Sequence, residues 1–547
     1  MKDFRICNRG LFRRLRPRLW KVSVSVLIGF VAVAASLAFV WMSKRVVDIA
    51  TGAVDGSLEK AVVALASIML LQVLCRVGAR YWEGLLVVNA QNSIREQVFA
   101  KVMHSTWTGK DPLHSGDTVS RLEEDIRVVV DFICVNLPDC VITIVQLLAA
   151  SAYLFFLAPN LAWVLLLIMP VAVVGSRMFF RKLREITGEI RAGDAKVQGH
   201  MQENIQHRVL IKSVGAVSQV LEKLGLLQAD VRSKTITRLN YNAVSRGFMQ
   251  LGFAAGYALV FIWGAFGLRN GAVSYGMMVA FLQLVGQVQR PVAGLALQIP
   301  AYIRALSSEE RLLELEEAEQ EASAENIVIP GAPGIRVEDL CFAYPDADEA
   351  VIDHLDFDFK PGLTTAILGP TGSGKSTLVR LVMALLKPCS GKVLLYPADG
   401  AAAGVESSVA TRCNFMYVPQ GNSLMSGTIR QNLLLAKCDA TEDEMRDVLH
   451  LAAADFVFEL KNGLDTGCAE VGAGLSEGQA QRIAIARALL RPGGVLVLDE
   501  ATSALDADTE LEMLGRLAER YHGSKTILCI THRPAATSFA DAVLRIQ

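Results

Sequence analysis

No C-x-x-C pair occurs among the ten cysteines of this 547-residue sequence, which are scattered from Cys7 to Cys529. Their spacing offers neither a metal-site pattern nor a disulfide framework, so buried, reduced thiols are the expectation. Charge is also scarce. Asp, Glu, Lys and Arg make up 20% of the chain, against about 25% in ordinary soluble proteins. The net charge of −1 says little about partners, but its distribution says more, because residues 1–21 hold eight Lys/Arg and one acid. A cleavable leader is missing too: the first apolar run exceeds a signal-peptide core of about 7–15 residues, and no small-residue cleavage site follows at the right distance.

What is abundant is apolar surface: 52% of the residues are hydrophobic. A membrane span needs about 20 apolar residues. Val22–Ser43 and Gly247–Leu268 are charge-free, Ala61–Cys75 continues past Arg76, and Gly271–Gln289 continues through Arg290 and Pro291. Val141–Ser176 is charge-free for 36 residues. One helix of that length would measure about 54 Å against a hydrocarbon core of about 30 Å, so it must fold back, and "LAPN" at 157–160 supplies the turn. Six spans are therefore predicted.

Lys and Arg favour the cytosolic side. Residues 1–21, 84–127 and 177–246 carry eight, five and 13 of them, while the opposite loops hold only Lys44, Arg45, Lys60 and Arg269. Both termini are expected in the cytosol, in the inner (plasma) membrane of a bacterium. The inner loops read as span helices extended into the cytosol and turned back. "GLFRRLRPRLW" at 10–20 suits a helix lying on the bilayer, or a plain basic flank. Arg76, Arg290 and Asp139 fall at similar depth near the inner leaflet. Such charges either pair and snorkel or line a cavity that grips an anionic head group. The acidic, helix-patterned segment 307–326 ends at "IPGAPG" (329–334). The predicted domains are 1–318 in the membrane, 319–334 as linker and 335–547 as a cytosolic α/β domain.

The cytosolic half carries the chemistry. "TTAILGPTGSGKSTLVRLVMALL" reads as strand, glycine-rich loop and helix, with a full G-x-x-x-x-G-K-[ST] match at Gly369, Pro370, Thr371, Gly372, Ser373, Gly374, Lys375 and Ser376, followed by Thr377. Glycines let backbone approach phosphates, the helix start adds free N–H groups, Lys375 reaches the outer phosphates and Ser376 offers a hydroxyl to Mg²⁺. "GGVLVLDEATSALD" (493–506) is an apolar strand ending in Asp499 and Glu500. Ligands bind at the carboxyl ends of such buried parallel strands. Asp499 suits an outer-sphere Mg²⁺ partner, and Glu500 suits the base that polarises water.

With these motifs in this order, the chain resembles an ATP-binding cassette half-transporter of the exporter type over nearly its whole length. The resemblance implies an α-helical membrane domain of six spans joined to an α/β P-loop domain, using ATP and Mg²⁺. It also implies roles for further residues. Tyr344 in "CFAYPD" stacks on adenine. Gln420 in "YVPQGNSLMSGTIRQN" touches Mg²⁺ and the water. Ser476, Gly478 and Gln479 in "LSEGQ" form the signature. Asp506 in "SALD" lies at the dimer seam, and His532 in "ITHRP" meets the γ-phosphate. Segments 114–126 and 202–216 match transmission loops, with coupling helices near 106–115 and 204–214. In this family the signature closes on the nucleotide of a second cassette. A homodimer is thus expected, with a different half-transporter as the alternative partner.

Two departures stand out. Glu477 occupies a signature position where Gly is usual, and the sequence stops at Gln547, one strand past His532, so contacts that the family makes through a longer tail are expected to be lacking. The function implied is ATP-driven export or flipping of an amphiphilic, lipid-like or drug-like substrate in a lipid bilayer. Peptide export and a membrane-bound regulatory ATPase or channel are the alternatives. Six spans exclude a soluble ATPase acting on nucleic acid.

Overall fold

Long apolar runs with few helix breakers produce long helices. The computed structural model describes residues 4–107, 109, 115–159, 162–163, 180–322, 324–344, 349–399, 404–468, 474–531, 533 and 537–546. The chain divides into two compact units, Met1–Phe99 with Thr118–Glu316, and Ala100–Asp117 with Glu317–Gln547.

The first unit is helical: α1 (Phe4–Leu15), α2 (Leu19–Ala50), α3 (Leu58–Met103), α4 (Thr118–Leu157), α5 (Phe180–Gln206), α6 (Arg208–Ser213), α7 (Val217–Arg269) and α8 (Tyr275–Glu316). With 53 residues, α7 runs for about 80 Å, far beyond the hydrocarbon core. Among the described residues, four helical stretches are long and apolar enough to cross a membrane: Phe4–Ala50, α3, α4 and α7. These carry the predicted first, second, third and fifth spans. The segment expected as the fourth span lies largely outside the described residues. The sixth falls on α8, whose Gln283, Gln287, Gln289 and Arg290 dilute its apolar character. α8 nevertheless buries Ala280, Phe281, Leu284 and Val285 against Val40, Leu154 and Val260. Its glutamines reach neighbouring backbones: Gln289 Nε2 donates to Phe253 O at 3.0 Å and Gln287 Nε2 to Ser36 O at 3.4 Å. A polar side chain between apolar helices holds its place in this way.

The basic N-terminal segment is a helix, α1, and it is clamped to the far end of α8. Arg14 pairs with Glu309 at 2.7 Å and Glu316 at 2.9 Å, and the Arg14 and Glu309 side chains are buried. Gly10 sits against Glu309 so closely that a Cβ would strike its carboxylate. Removing one member of such a pair leaves a buried charge alone, which costs about 3–5 kcal/mol. Phe4, Ile6 and Phe12 of α1 remain exposed, as a helix at the bilayer surface requires. The charges predicted at similar depth, Arg76, Asp139 and Arg290, are all exposed in the single chain.

The ranges expected for the two coupling helices fall in different units. α6 lies inside the range expected for the second coupling helix, with Val209 and Leu210 exposed. The range expected for the first, 106–115, belongs to the second unit, where Thr106, Trp107 and Gly109 are not helical: Thr106 N donates to Glu319 O at 2.7 Å, and Arg380 stacks over Trp107 at 5.0 Å. Residues 108 and 110–114 of that segment lie outside the described residues.

The second unit contains two larger sheets. β1 (Gly334–Phe342), β2 (Ile352–Phe359), β4 (Ser390–Tyr396) and β5 (Val405–Glu406) form an antiparallel sheet in the order β2-β1-β4-β5. β3 (Thr364–Leu368), β6 (Phe415–Val418), β9 (Val495–Asp499), β10 (Thr526–Ile530) and β11 (Ala542–Arg545) form a parallel sheet in the order β11-β3-β10-β9-β6. The short strands β7 (Gly427–Thr428) and β8 (Gly467–Cys468) pair with each other. Every residue of β9 and β10 is buried, which is why both read as unbroken apolar runs rather than alternating ones. The described α-helices of this unit are α9 (Lys375–Val382), α10 (Ile429–Leu434), α11 (Glu442–Leu451), α12 (Glu477–Leu490) and α13 (Ala507–Tyr521), of which α9, α12 and α13 matter for the site.

Candidate nucleotide site

Four candidate segments emerge from the same edge of the parallel sheet. The glycine loop follows β3, Gln420 lies two residues past β6, Asp499 ends β9 with Glu500 next to it, and Thr531 leads out of β10. Parallel strands place all their carboxyl ends on one side, so segments far apart in sequence converge there. His532 itself lies outside the described residues.

The loop geometry follows from its glycines. Gly372 and Gly374 take φ of +90° and +91°, a region closed to most side chains. At Gly374 a Cβ would also crowd Val351 O at 2.9 Å, and at Gly369 it would meet Ile546 O at 2.5 Å. Gly374 is the N-cap of α9, so the free N–H groups of that helix open toward the loop. Lys375 is buried, and its Nζ donates to Gly369 O at 3.0 Å and Pro370 O at 2.7 Å. Ser373 Oγ is buried with no hydrogen-bond partner. An orphaned hydroxyl, free amides and an ammonium around a glycine cradle are a donor set suited to phosphate oxygens.

Two hydrogen bonds join the loop and strand ends into one site. Ser376 Oγ donates to Asp499 Oδ1 at 2.8 Å, and Tyr417 OH donates to Asp499 Oδ2 at 3.2 Å. Asp499 is fully buried, and that burial raises its carboxyl pKa against the opposing pull of those two donors. Burial and the neighbouring carboxylate push the Tyr417 hydroxyl up to about 12, so it stays a donor. A hydroxyl and a carboxylate in contact form an oxygen site for a hard cation, and the residues present fit Mg²⁺.

The second bond runs from Gln420 Nε2 to Glu500 Oε2 at 2.6 Å. Glu500 has φ of +49°, an uncommon backbone state for a residue with a side chain. Its own N–H donates to Ile530 O at 3.2 Å, tying β9 to β10 where the acid leaves the sheet. Strain of this kind concentrates where a side chain must be aimed.

Tyr344 lies beside the loop helix, its hydroxyl 3.0 Å from Thr377 Oγ1 and its ring edge-on to Phe342 at 5.0 Å. The ring is half-buried against the core of the antiparallel sheet, and Gly109 sits so close that a Cβ would collide with it.

The signature residues sit on a different helix. Ser476 caps α12: its Oγ accepts from Gln479 N at 3.2 Å, and Gln479 Oε1 accepts from Ser476 N at 3.0 Å. This reciprocal box fixes the helix start. Gly478 packs on the "SALD" loop, where a Cβ would come within 2.8 Å of Ala504 O. Sequence reasoning missed Gln481 and Arg533, which lock that loop. Gln481 bonds both Ser503 Oγ at 3.2 Å and Ala504 N at 3.1 Å. Arg533, adjacent to His532, donates to Leu505 O at 2.7 Å and Ser503 O at 2.8 Å and pairs with Glu510 at 3.0 Å. Asp506 caps α13 by accepting from Thr509 N at 2.9 Å.

Comparisons with known proteins identify the family. The ABC transporter transmembrane region family matches residues 22–292, and the ABC transporter family matches residues 352–503. The chain is 27% identical to an ATP-dependent lipid A-core flippase of Chromobacterium violaceum, over 100% of this chain and 94% of that protein. It is also 27% identical to an ABC multidrug transporter of Aspergillus fumigatus, over 97% of this chain and 68% of that protein. A bacterial Atm1-family ABC exporter solved with ATP bound shares the fold at a TM-score of 0.81 and 23% identity, covering 97% of this chain and 94% of that one.

Proposed function

The chain belongs to the ATP-binding cassette transporter family, with membrane and nucleotide-binding domains in one polypeptide, and we propose that it exports or flips a lipid-like or drug-like amphiphile as a homodimer. The observation that carries the proposal is the pair of bonds Ser376–Asp499 and Gln420–Glu500. They support the reading because they bring the cation-binding and water-handling residues together in a chain whose other unit has helices long and apolar enough to cross a membrane. A family member with one such unit of each kind acts as a dimer in the bilayer. The proposed domains are 1–318, 319–334 and 335–547, with both termini in the cytosol of a bacterium and the spans in its inner membrane.

Each residue has a distinct task in this reading. Backbone amides of Gly372–Ser376 and the Lys375 ammonium bind the phosphates, and Tyr344 meets the adenine. Ser376, Gln420 and Asp499 would hold Mg²⁺, and the bound ion would neutralise phosphate charge. Glu500 takes the proton of the attacking water while Gln420 orients the carboxylate. His532 meets the γ-phosphate. Ser476, Gly478 and Gln479 serve the nucleotide bound to the other subunit. Transport follows only if nucleotide and cargo favour different states of the dimer.

Proteoliposomes test the function. Inside-out vesicles containing the purified chain should move a fluorescent lipid-like amphiphile only with ATP, and orthovanadate should stop the movement. Movement that ignores both would overturn the pump in favour of a channel. Glu477 gives a second expected outcome. It is exposed in the first turn of α12, where its charge suits the helix dipole but opposes an incoming phosphate. Glu477→Gln should raise ATP turnover a few-fold at low salt, with the difference shrinking as salt screens the charge.

A further inference from the structure

The spacing of cysteine and histidine gave no sign of a metal site in the cytosolic half, yet the antiparallel sheet gathers a ligand set at its edge. β1 and β2 pair with Val337 opposite Phe357, Leu340 opposite Leu355 and Phe342 opposite Ile352. The register slips twice. One extra residue enters β1 between Val337 and Leu340, and one enters β2 between Leu355 and Ile352. At these two bulges Asp339 and His354 take left-handed φ of +47° and +43°. Neither is glycine, so each conformation is uncommon and costly. Gly391 on β4 accommodates the first bulge, because a Cβ there would run into Asp339 O.

The bulges bring chemistry together. One ligand atom from each of Cys341, Asp353 and His354 lies within 4.8 Å of the others. His354 Nδ1 is 2.5 Å from Asp339 Oδ1, and His354 Nε2 is 3.9 Å from Asp353 Oδ1. The His354 N–H donates to Cys341 Sγ at 3.2 Å. Asp339 is itself held, its N–H donating to Asp356 Oδ1 at 2.8 Å.

We propose that Cys341, His354 and Asp353 bind one Zn²⁺ ion on the surface of the nucleotide-binding domain, with Asp339 orienting the imidazole. One thiolate, one imidazole and one carboxylate form a borderline-soft set that suits zinc rather than magnesium or calcium. The Asp339 carboxylate fixes the Nδ1–H tautomer and leaves Nε2 to face the ion, the carboxylate–histidine–metal arrangement common around zinc. Ligands at about 2.1 Å in a tetrahedron stand about 3.4 Å apart, so the Nε2–Oδ1 distance of 3.9 Å needs only a small closure. The backbone N–H of His354 holds the Cys341 sulfur beside the imidazole. The site lies three residues before Tyr344 and is separate from the oxygen ligands at Ser376 and Asp499.

The test uses the tag-free full chain in detergent, reduced and stripped with chelator, with Zn²⁺ measured by equilibrium dialysis and Co²⁺ as the optical probe. One tightly held Zn²⁺ per chain is expected, and the Co²⁺ form should show a thiolate-to-cobalt charge-transfer band. Cys341→Ser should remove that band and weaken Zn²⁺ binding by at least tenfold. His354→Gln should weaken binding similarly, and Asp339→Asn by a smaller factor, in the range of about 10–100-fold seen when outer partners of metal ligands are lost. Each variant should hydrolyse ATP at the wild-type rate in excess Mg²⁺ with a zinc-selective chelator present, which shows that it is folded. A wild-type chain that retains no Zn²⁺, or a Cys341→Ser/His354→Gln chain that keeps both the stoichiometry and the band, would overturn the site. The latter result would place the ion at the exposed Cys389 or Cys438 instead.

Discussion

Glu500→Gln should abolish steady ATP turnover while leaving nucleotide binding intact. The substitution keeps the length and shape of the side chain, and glutamine tolerates the left-handed backbone at this position no worse than glutamate does. The bond from Gln420, 2.6 Å long in the structure, can persist, since a glutamine side-chain carbonyl also accepts. What disappears is the capacity to take a proton from water. A positioned general base contributes about 10²–10⁴ to rate, so a loss of at least a hundredfold is expected. Because Lys375, Ser376 and Asp499 remain, the variant should bind MgATP with near-normal affinity and accumulate as a closed, nucleotide-loaded dimer. ATP-dependent cross-linking between subunits reads that accumulation, and single-turnover hydrolysis reads the chemical step. Turnover within a few-fold of wild type would remove Glu500 from the role of base.

Gln420→Ala separates orientation from basicity in the same pocket. The carboxylate remains, but its 2.6 Å donor is gone, so the loss should be smaller than for Glu500→Gln.

The parts of this site legible in the sequence are those whose geometry is local. Two glycines that must adopt positive φ, a lysine and serine at a helix start, and an acid pair ending an apolar strand each declare themselves within about ten residues. The parts that were silent depend on pairings across the chain. Tyr417 reads as one more strand residue, yet its hydroxyl reaches Asp499, 82 positions away. Gln481 lies inside a helix and Arg533 in an irregular segment, and both lock the "SALD" loop through contacts 22–30 residues distant. The Cys341–His354 cluster is hidden more deeply, because it exists only where two strands bulge at matching positions. In the membrane unit, hydropathy located the first, second, third and fifth spans. It also marked α8 as the sixth, but it did not show how its glutamines find backbone partners on neighbouring helices or that its apolar face is buried against protein. The clamp of Arg14 on Glu309 joins residues 295 positions apart, and no local pattern announces it.

The signature on α12 makes the strongest demand on assembly. Mixing two inactive copies should restore activity. A Lys375→Ala chain cannot grip its own phosphates but still offers a sound signature, while a Ser476-altered chain does the reverse. In a mixed pair, one pocket combines the intact phosphate loop of one subunit with the intact signature of the other, and the second pocket is doubly defective. The choice of Ser476 variant matters, because this residue also caps its helix, and losing a cap costs about 1 kcal/mol. Ser476→Asp keeps the cap and sets a fixed negative charge where a γ-phosphate must arrive, so a defect would report on nucleotide contact rather than on a frayed helix. With equal amounts of the two chains, half the pairs are mixed and each mixed pair has one working pocket, so about a quarter of wild-type hydrolysis is expected if pockets act independently. Each variant alone should show almost none. If the mixture stays as inactive as its components while co-purification proves that mixed pairs form, then the signature does not complete its partner's pocket, and the shared seam is lost from the mechanism. If Ser476→Asp alone hydrolyses ATP normally, the side chain at the start of α12 faces no phosphate in either subunit.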